Sequence, residues 1–167
     1  MTAHRTVMTP DARRAAIVYA AMLAAAASWI GLLFLAPALL AAGRLRAAAL
    51  VYGAFSKICH QLPERSFHWH GFPLGVCSRC TAIYLGVGAG LLLAPLLRPL
   101  HDETFPDRRL LLLSALPLAI DFAGGFSGLF ANTFFSRSIT GGLFGLVAAF
   151  YLLPGMVAFA AKRAREY

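Results

Sequence analysis

The sequence predicts an all-α, polytopic membrane protein, a helical bundle of about four transmembrane helices plus a short interfacial or re-entrant helix. Of its 167 residues, 59% are hydrophobic and only 13% are charged, whereas an average soluble domain has about 25% charged residues. The apolar residues form four long stretches, and about 20 such residues cross a bilayer. We therefore expect one membrane domain spanning residues 1–167.

The four stretches define the predicted transmembrane helices, which are 15–42, 74–97, 109–130 and 138–161. A basic tail, residues 1–14, precedes the first. The uncharged run that follows is too long for a signal-peptide core of about 7–15 residues, so we expect a retained helix.

Residues 43–73 form a predicted outer loop that contains a fifth apolar stretch. AAALVYGAFS lies between Arg46 and Lys57. It is too short to span a bilayer, so we expect an interfacial or re-entrant helix at about 47–56.

Small residues recur at a spacing of four on three predicted helices. The pairs are Gly86 and Gly90, Gly124 and Gly128, and Gly141 and Gly145. This spacing lets helix backbones approach closely in a membrane. The sequence therefore predicts a tightly packed bundle.

The positions of Lys and Arg predict the orientation of the bundle. With the N-terminus in the cytoplasm, nine basic residues flank the helices on that side and five on the other, which favours a cytoplasmic location for both termini. We expect a bacterial inner-membrane protein with the 43–73 loop outside. Because the net charge of +8 comes from these flanking clusters, nucleic acid is not an expected partner.

The outer loop and the start of the second helix contain a set of metal-ligand residue types. Four of these are typical of a tetrahedral zinc or iron site: Cys59, His60, Cys77 and Cys80. The CxxC spacing lets two sulfurs reach one ion, but adjacent Cys and His ligands require a sharp backbone turn. His68 and His70, in the motif HWH, are alternative ligands. Zn²⁺ is the candidate ion, with iron and copper as alternatives.

Two other interpretations of the cysteines stay open. A CxxC at a helix start has a lowered thiol pKa, and Arg79 between the two cysteines adds positive charge. These features suit a membrane thiol–disulfide oxidoreductase coupled to quinone, although such enzymes generally use a second cysteine pair. The other interpretation is structural, as a disulfide or buried apolar cysteines.

Asp121 is the only acidic residue inside the predicted spans. A buried carboxylate costs at least about 2.5 kcal/mol to insert, and such residues usually have a partner and a function. Nine residues from the predicted helix end, it would lie about 10–14 Å deep. Arg79 and Arg137 approach from that side. A structural ion pair, a metal ligand, a proton carrier and a general base are the alternatives.

The segment ANTFFSRSITGG, residues 131–142, joins the third and fourth predicted spans. Ser136 or Ser138 is expected to cap the fourth helix. A helix N-terminus beside Arg137 suits a phosphate or carboxylate. Capping combined with lipid-headgroup contact is the alternative interpretation.

One face of the second helix contains the residues expected to point towards Asp121. These follow helical spacing: Cys77, Cys80, Thr81, Tyr84 and Gly88. Together with the 131–142 segment, they predict one polar pocket at the outer end of the bundle.

Several motifs resemble those of a family of small, functionally uncharacterised prokaryotic integral membrane proteins. The shared motifs are CHQ, RSF, CxRCxxIYxG and a downstream P-x-x-x-D followed by Asn, Arg and TG, here at Cys59–Gln61, Arg65–Phe67, Cys77–Gly86, Pro117, Asp121, Asn132, Arg137 and Thr140–Gly141. The resemblance covers about residues 57–145. Ala82 replaces the usual glycine, and Gly124 and Gly125 replace residues that are often polar. The resemblance implies a shared site but no particular activity.

These observations favour a Cys/His metal site near the outer face, and an enzyme that acts on a lipid or lipid-linked substrate is the main interpretation of such a site. The ion would be a Lewis acid or activate water if one coordination position were open. Candidate catalytic residues are Asp121, Arg79 and Arg137. Candidate substrate-binding residues are Gln61, Arg65, Ser66, Tyr84, Asn132 and Thr140. Expected partners are the bilayer and a lipid or anionic small molecule. Metal transport and a purely structural role are the remaining alternatives.

Overall fold

The computed structural model describes residues 9–166, which form five α-helices and one short hairpin. The helices are α1 (Pro10–Ala41), α2 (Leu45–Phe55), α3 (Ser78–Leu97), α4 (Arg108–Phe126) and α5 (Phe134–Arg165). A 3₁₀ turn at Pro63–Arg65 and an antiparallel hairpin of β1 (His68–Trp69) and β2 (Phe72–Pro73) lie between α2 and α3. Over these residues, four helices, all but α2, are long and apolar enough to cross a membrane. The predicted fold class is confirmed.

The first helix starts earlier than the sequence predicted. The Thr9 hydroxyl accepts a hydrogen bond from the Ala12 amide, and proline occupies the first helical position. Part of the predicted 1–14 tail is therefore helical, whereas residues 1–8 lie outside the described residues. Since α1 includes Asp11, Asp121 is not the only acid within a span. Asp11 is exposed, however, and pairs with Arg14 at 3.1 Å.

The junction between α4 and α5 also differs from the prediction. Thr133, not Ser136 or Ser138, caps α5: its hydroxyl accepts the Ser136 amide at 3.0 Å, and the Ser136 hydroxyl accepts the Thr133 amide at 3.1 Å. Arg137 consequently lies in the first turn of α5. α4 ends at Phe126, so Asp121 lies five residues from its end, about 7–8 Å along the axis and shallower than predicted.

Backbone contact between α3 and α5 organises the bundle. A side chain added at Gly86 or Gly90 would collide with the α5 backbone, and one at Gly145 would collide with the Ile83 carbonyl. At Gly141, an added Cβ would lie 2.7 Å from the Arg79 carbonyl oxygen. The close approach predicted for these two glycine pairs is confirmed.

The third glycine pair does not mediate helix packing. Gly128 lies beyond the end of α4, at a φ of +74° with open space around it. Glycine adopts this left-handed conformation without the steric cost of a side chain. The prediction of a close helix contact here is wrong, because Gly128 turns the chain towards α5.

Two apolar clusters hold the helices together. One joins α1, α3 and α5 around Ala15, Leu91 and Leu153. The other joins α1 and α2 to the loop before α3 and contains Leu33, Phe55, Cys59 and Val76. The second cluster thus anchors one of the candidate metal ligands.

We predict that Gly145→Ala destabilises the bundle by about 1–3 kcal/mol, because the Ile83 backbone cannot yield as a flexible side chain would. Gly142→Ala is the matched control, since its added Cβ would meet only the Ala82 carbonyl oxygen at 3.8 Å. Thermal unfolding in one detergent compares both with the wild type. Equal melting temperatures for the two variants would contradict the packing account.

Candidate metal centre and its surroundings

The three cysteines lie together beside the N-terminus of α3. The sulfur atoms of Cys59, Cys77 and Cys80 all lie within 4.8 Å of one another, and all three are free thiols. Sulfur ligands of one tetrahedral zinc ion are about 3.8 Å apart, given Zn–S bonds of about 2.3 Å. A small inward movement of three side chains would therefore suit a single ion.

Cys59 reaches this position because the chain turns sharply after α2. Gln61 takes a left-handed conformation with a φ of 51°, and its side-chain amide donates to the carbonyls of Tyr52 (3.0 Å) and Gly75 (2.6 Å). The Tyr52 hydroxyl also donates to the Pro73 carbonyl, and burial raises the pKa of this phenol. These bonds tie α2 to the hairpin and to the chain leading into α3.

Cys77 occupies the N-cap position of α3. Its backbone amide donates to the Cys59 sulfur at 3.2 Å, a bond that stabilises negative charge on sulfur. Hydrogen bonds from the Cys59 and Cys80 thiols lower the pKa of Cys77. The neighbouring thiols thus help to stabilise a thiolate in this cluster, and thiolate is the form of cysteine that binds metal.

The histidines do not join the cysteine cluster. Of the predicted ligands, His60 is exposed and lies outside the group of mutually close ligand atoms. His68 and His70 are exposed on the hairpin, and neither belongs to that group. The turn needed for Cys59 and His60 to act together is present, but it brings only Cys59 to the centre.

The cysteine face of α3 does not point at Asp121, contrary to the expectation. Cys80 and Tyr84 pack against the cluster around Leu33 and Phe55, and an added Cβ at Gly88 would meet Ile30 of α1. This face therefore points towards α1 and α2. Arg79, one position from Cys80, makes the connection to α4 instead.

Arg79 and Asp121 form a buried ion pair between α3 and α4. The Arg79 guanidinium donates to the Asp121 carboxylate, and the two side chains are 15% and 7% exposed. The same guanidinium lies over the Phe122 ring, 5.6 Å from its centroid. Among the alternatives for Asp121, this geometry shows an ion pair.

Arg137 lies near this pair but bonds to Asn132. Its guanidinium donates to the Asn132 side-chain oxygen at 3.4 Å, and the Asn132 amide donates to the backbone carbonyl of Asp121. A side chain at Gly125 would collide with Asn132. Because Gly125 has no side chain, it makes room for Asn132.

A cavity of about 410 Å³ connects the cysteines with the arginines. Its lining comprises Ile58, Cys59, His60, Gln61, Leu62, Arg65, Cys77, Arg79, Cys80, Phe122, Phe126 and Arg137. His60 therefore borders the cavity that the cysteines enter. Eight predicted site residues line this cavity: all four metal candidates, Arg79 and Arg137, and Gln61 and Arg65. Asp121 is not part of the lining but pairs with Arg79.

Other predicted substrate-binding residues are engaged in local structure. The buried Ser66 hydroxyl donates to the Leu62 carbonyl at 2.9 Å, and the Thr140 hydroxyl donates to the Ser136 carbonyl at 2.8 Å. Tyr84 stacks edge-on against Trp29. None of these three residues belongs to the lining of this cavity.

Sequence reasoning missed the aromatic wall of the cavity. Phe122 and Phe126 stack with ring centroids 6.1 Å apart and line the side nearest α4. Their spacing of four residues, with Phe122 adjacent to Asp121, was the available signal.

Comparison with known proteins places this chain in a family. The family model described as "Predicted membrane protein (DUF2085)" matches residues 59–151, a range that contains the cysteines and Asp121. "Uncharacterized protein MJ1492" of Methanocaldococcus jannaschii is 38% identical over 104 residues, covering 62% of this chain and 67% of its own length. An "Uncharacterized protein" of Methanothermobacter thermautotrophicus is 43% identical over 67 residues, covering 40% of this chain and 59% of its own length.

No solved structure matches. The expected resemblance to a prokaryotic membrane-protein family is nevertheless confirmed. By the extent of the family match, this chain belongs to the predicted membrane protein family DUF2085.

Proposed function

We propose that this protein is a membrane enzyme whose metal centre is held by Cys59, Cys77 and Cys80. The observation that supports this proposal is the meeting of three free thiols within 4.8 Å at the wall of a cavity. Three protein ligands with a fourth position open to substrate or water are typical of catalytic zinc sites. When bound, the ion supplies Lewis acidity or an activated water.

The charges around the cysteines suit such a centre. Three thiolates and one divalent ion have a net charge of −1, and Arg79 and Arg137 border the same cavity. The Cys77 amide already stabilises the Cys59 sulfur, as outer-shell hydrogen bonds do in metal sites. Zinc fits the soft sulfur donors, and iron or copper(I) would accept the same donors.

A lipid or lipid-linked substrate fits the apolar side of this cavity. Phe122 and Phe126 line it and are 58% and 85% exposed. Both residues lie on α4, a candidate membrane span, so their exposed surface would face acyl chains. An acyl chain would enter past these rings while its polar group approaches the cysteines.

We propose that the cavity lies on the outer face of the inner membrane and that both termini lie in the cytoplasm. The support is the excess of Lys and Arg at the opposite helix ends, including Lys162, Arg163 and Arg165 in the last turn of α5.

We predict that the purified protein contains about one metal ion per chain and that Cys80→Ser loses most of it, because one of three thiolate ligands is removed. Elemental analysis measures both, and the eluted ion identifies the metal. A wild type that is metal-free after purification without chelators would contradict the proposal.

A substitution of His60 tests whether the metal site has an open coordination position or is closed by a fourth protein ligand. Because His60 lies outside the cluster, we predict that His60→Ala retains the metal, as measured by elemental analysis. His68→Ala is the matched control, as an exposed histidine on the hairpin. Loss of metal from His60→Ala alone would show a closed, structural Cys₃His site.

A thiol–disulfide oxidoreductase is a second candidate, favoured by the free Cys77 and Cys80 thiols, whose sulfurs lie within 4.8 Å at the N-terminus of α3. In that reaction Cys77 and Cys80 would lose two electrons and two protons to a quinone, forming a disulfide and a quinol. Thiol titration before and after quinone addition distinguishes it: two thiols per chain would disappear in the redox enzyme, whereas a metal-bound cluster would keep all three.

The Arg79–Asp121 pair gives a prediction about stability. Asp121→Asn leaves a buried guanidinium without its carboxylate, so we expect a loss of about 3–5 kcal/mol. Adding Arg79→Met to Asp121→Asn should recover much of that loss. Asp102→Asn, at the more exposed Arg98–Asp102 pair between α3 and α4, is the control and should have a much smaller effect. Thermal unfolding in detergent compares the four proteins, and equal losses at the two pairs would contradict the account.

A further inference from the structure

A second cavity adjoins the one that contains the cysteines. It has a volume of about 370 Å³, and its lining includes Glu64, Arg65, Phe130, Asn132, Phe134 and Arg137. Arg65 and Arg137 line both cavities. These two guanidiniums therefore stand at the boundary between the cysteine cavity and the start of α5.

Arg137 has fewer partners than a buried guanidinium requires. The residue is 7% exposed, its Nε is buried without a hydrogen-bond partner, and its one side-chain bond, to Asn132, is long at 3.4 Å. Within residues 9–166, no carboxylate lies within 4.0 Å of the guanidinium of Arg137 or Arg65. The buried carboxylate of Asp121 pairs with Arg79 instead. A buried, unpaired charge is costly, which argues for an anion that the protein itself does not supply.

The position of Arg137 in the helix adds to this positive potential. It lies in the first turn of the 32-residue helix α5, where the helix dipole is positive and a basic residue is unfavourable. The same arrangement attracts an anion, because the guanidinium and the helix dipole both favour negative charge at one place.

We propose that Arg65 and Arg137 bind a phosphate group at the boundary of the two cavities. A phosphate monoester or diester offers several acceptor oxygens, which suits two forked guanidiniums better than a single carboxylate does. As a substrate subsite this assignment rests on the enzymatic function proposed above, placing the phosphate of a lipid or lipid-linked substrate beside the cysteines. Binding of a phosphate to Arg65 and Arg137 does not itself require a metal ion at the cysteines.

Two sources would supply this phosphate, namely a lipid headgroup or free phosphate in solution. The exposed rings of Phe130 and Phe134, at 46% and 44%, border the second cavity and leave an apolar side for the chains of a lipid. The two sources share the same recognition chemistry, so the experiment has an arm for each.

The test measures phosphate binding by the full chain in dodecyl maltoside micelles, which contain no phosphate, after metal is removed with a chelator. Isothermal titration with inorganic phosphate should show saturable binding. Arg65→Gln and Arg137→Gln should each weaken binding by about tenfold to a hundredfold, the effect of losing hydrogen bonds to a charged group. Arg46→Gln is the matched control, since Arg46 is exposed on α2 and should bind as the wild type does.

In the lipid arm, phosphatidic acid is added to the same micelles. Competition with inorganic phosphate would assign the site to a lipid headgroup, and its absence would assign it to soluble phosphate; either outcome supports the phosphate site. If Arg137→Gln fails to fold, Arg65→Gln still provides the test, because Arg65 is exposed.

Failure of wild-type protein to bind phosphate or phosphatidic acid would overturn the proposal, as would unchanged affinity in Arg65→Gln. Because the titration uses metal-free protein, its failure would leave the metal content of the native protein, and thus the proposed metal centre, unaffected.

Discussion

The close backbone contact between α3 and α5 determines where the polar residues of this protein meet. Gly86 and Gly90 on one helix and Gly141 and Gly145 on the other leave no room for side chains between them. Lipid provides no hydrophobic force that would draw two apolar helices together, so their association depends on such packing. Because Gly141 lies against the backbone of Arg79, the contact also aligns Arg79 and Arg137 at one end of the bundle.

The charges at that end include more than the one ion pair. Asp121 neutralises Arg79, but Arg137 and Arg65 have no corresponding carboxylate among residues 9–166. The neighbouring cysteines offer negative charge only as thiolates, and a divalent ion would consume most of that charge. A metal centre and an anionic substrate together would balance the site, which links the two proposals through one physical requirement.

The number and type of the helices could be predicted from the sequence because long apolar runs have few alternatives in a bilayer. Arg79 and Asp121 could be selected for the same reason, since polar residues within such runs are conspicuous, whereas the cysteines were identified by their ligand type and spacing. The local geometry could not. The left-handed turn at Gln61 brings Cys59 inward without His60, and no periodicity signals such a turn in a loop.

The residue that caps α5 also could not be predicted from the sequence alone. Thr133, Ser136 and Ser138 are all good N-cap residues by type, and only the reciprocal bonds between Thr133 and Ser136 select the first. Because α5 therefore begins earlier than predicted, Arg137 lies within the helix. Likewise, Gly128 matched a helix-packing motif but serves a turn, because α4 ends before reaching it.

The most direct test of the metal centre is an X-ray absorption spectrum at the metal edge of the purified protein. Three cysteine ligands and one open position predict about three sulfur scatterers at roughly 2.3 Å with one oxygen or nitrogen neighbour. A spectrum with only oxygen and nitrogen neighbours would contradict the account, and so would a metal bound by a single sulfur.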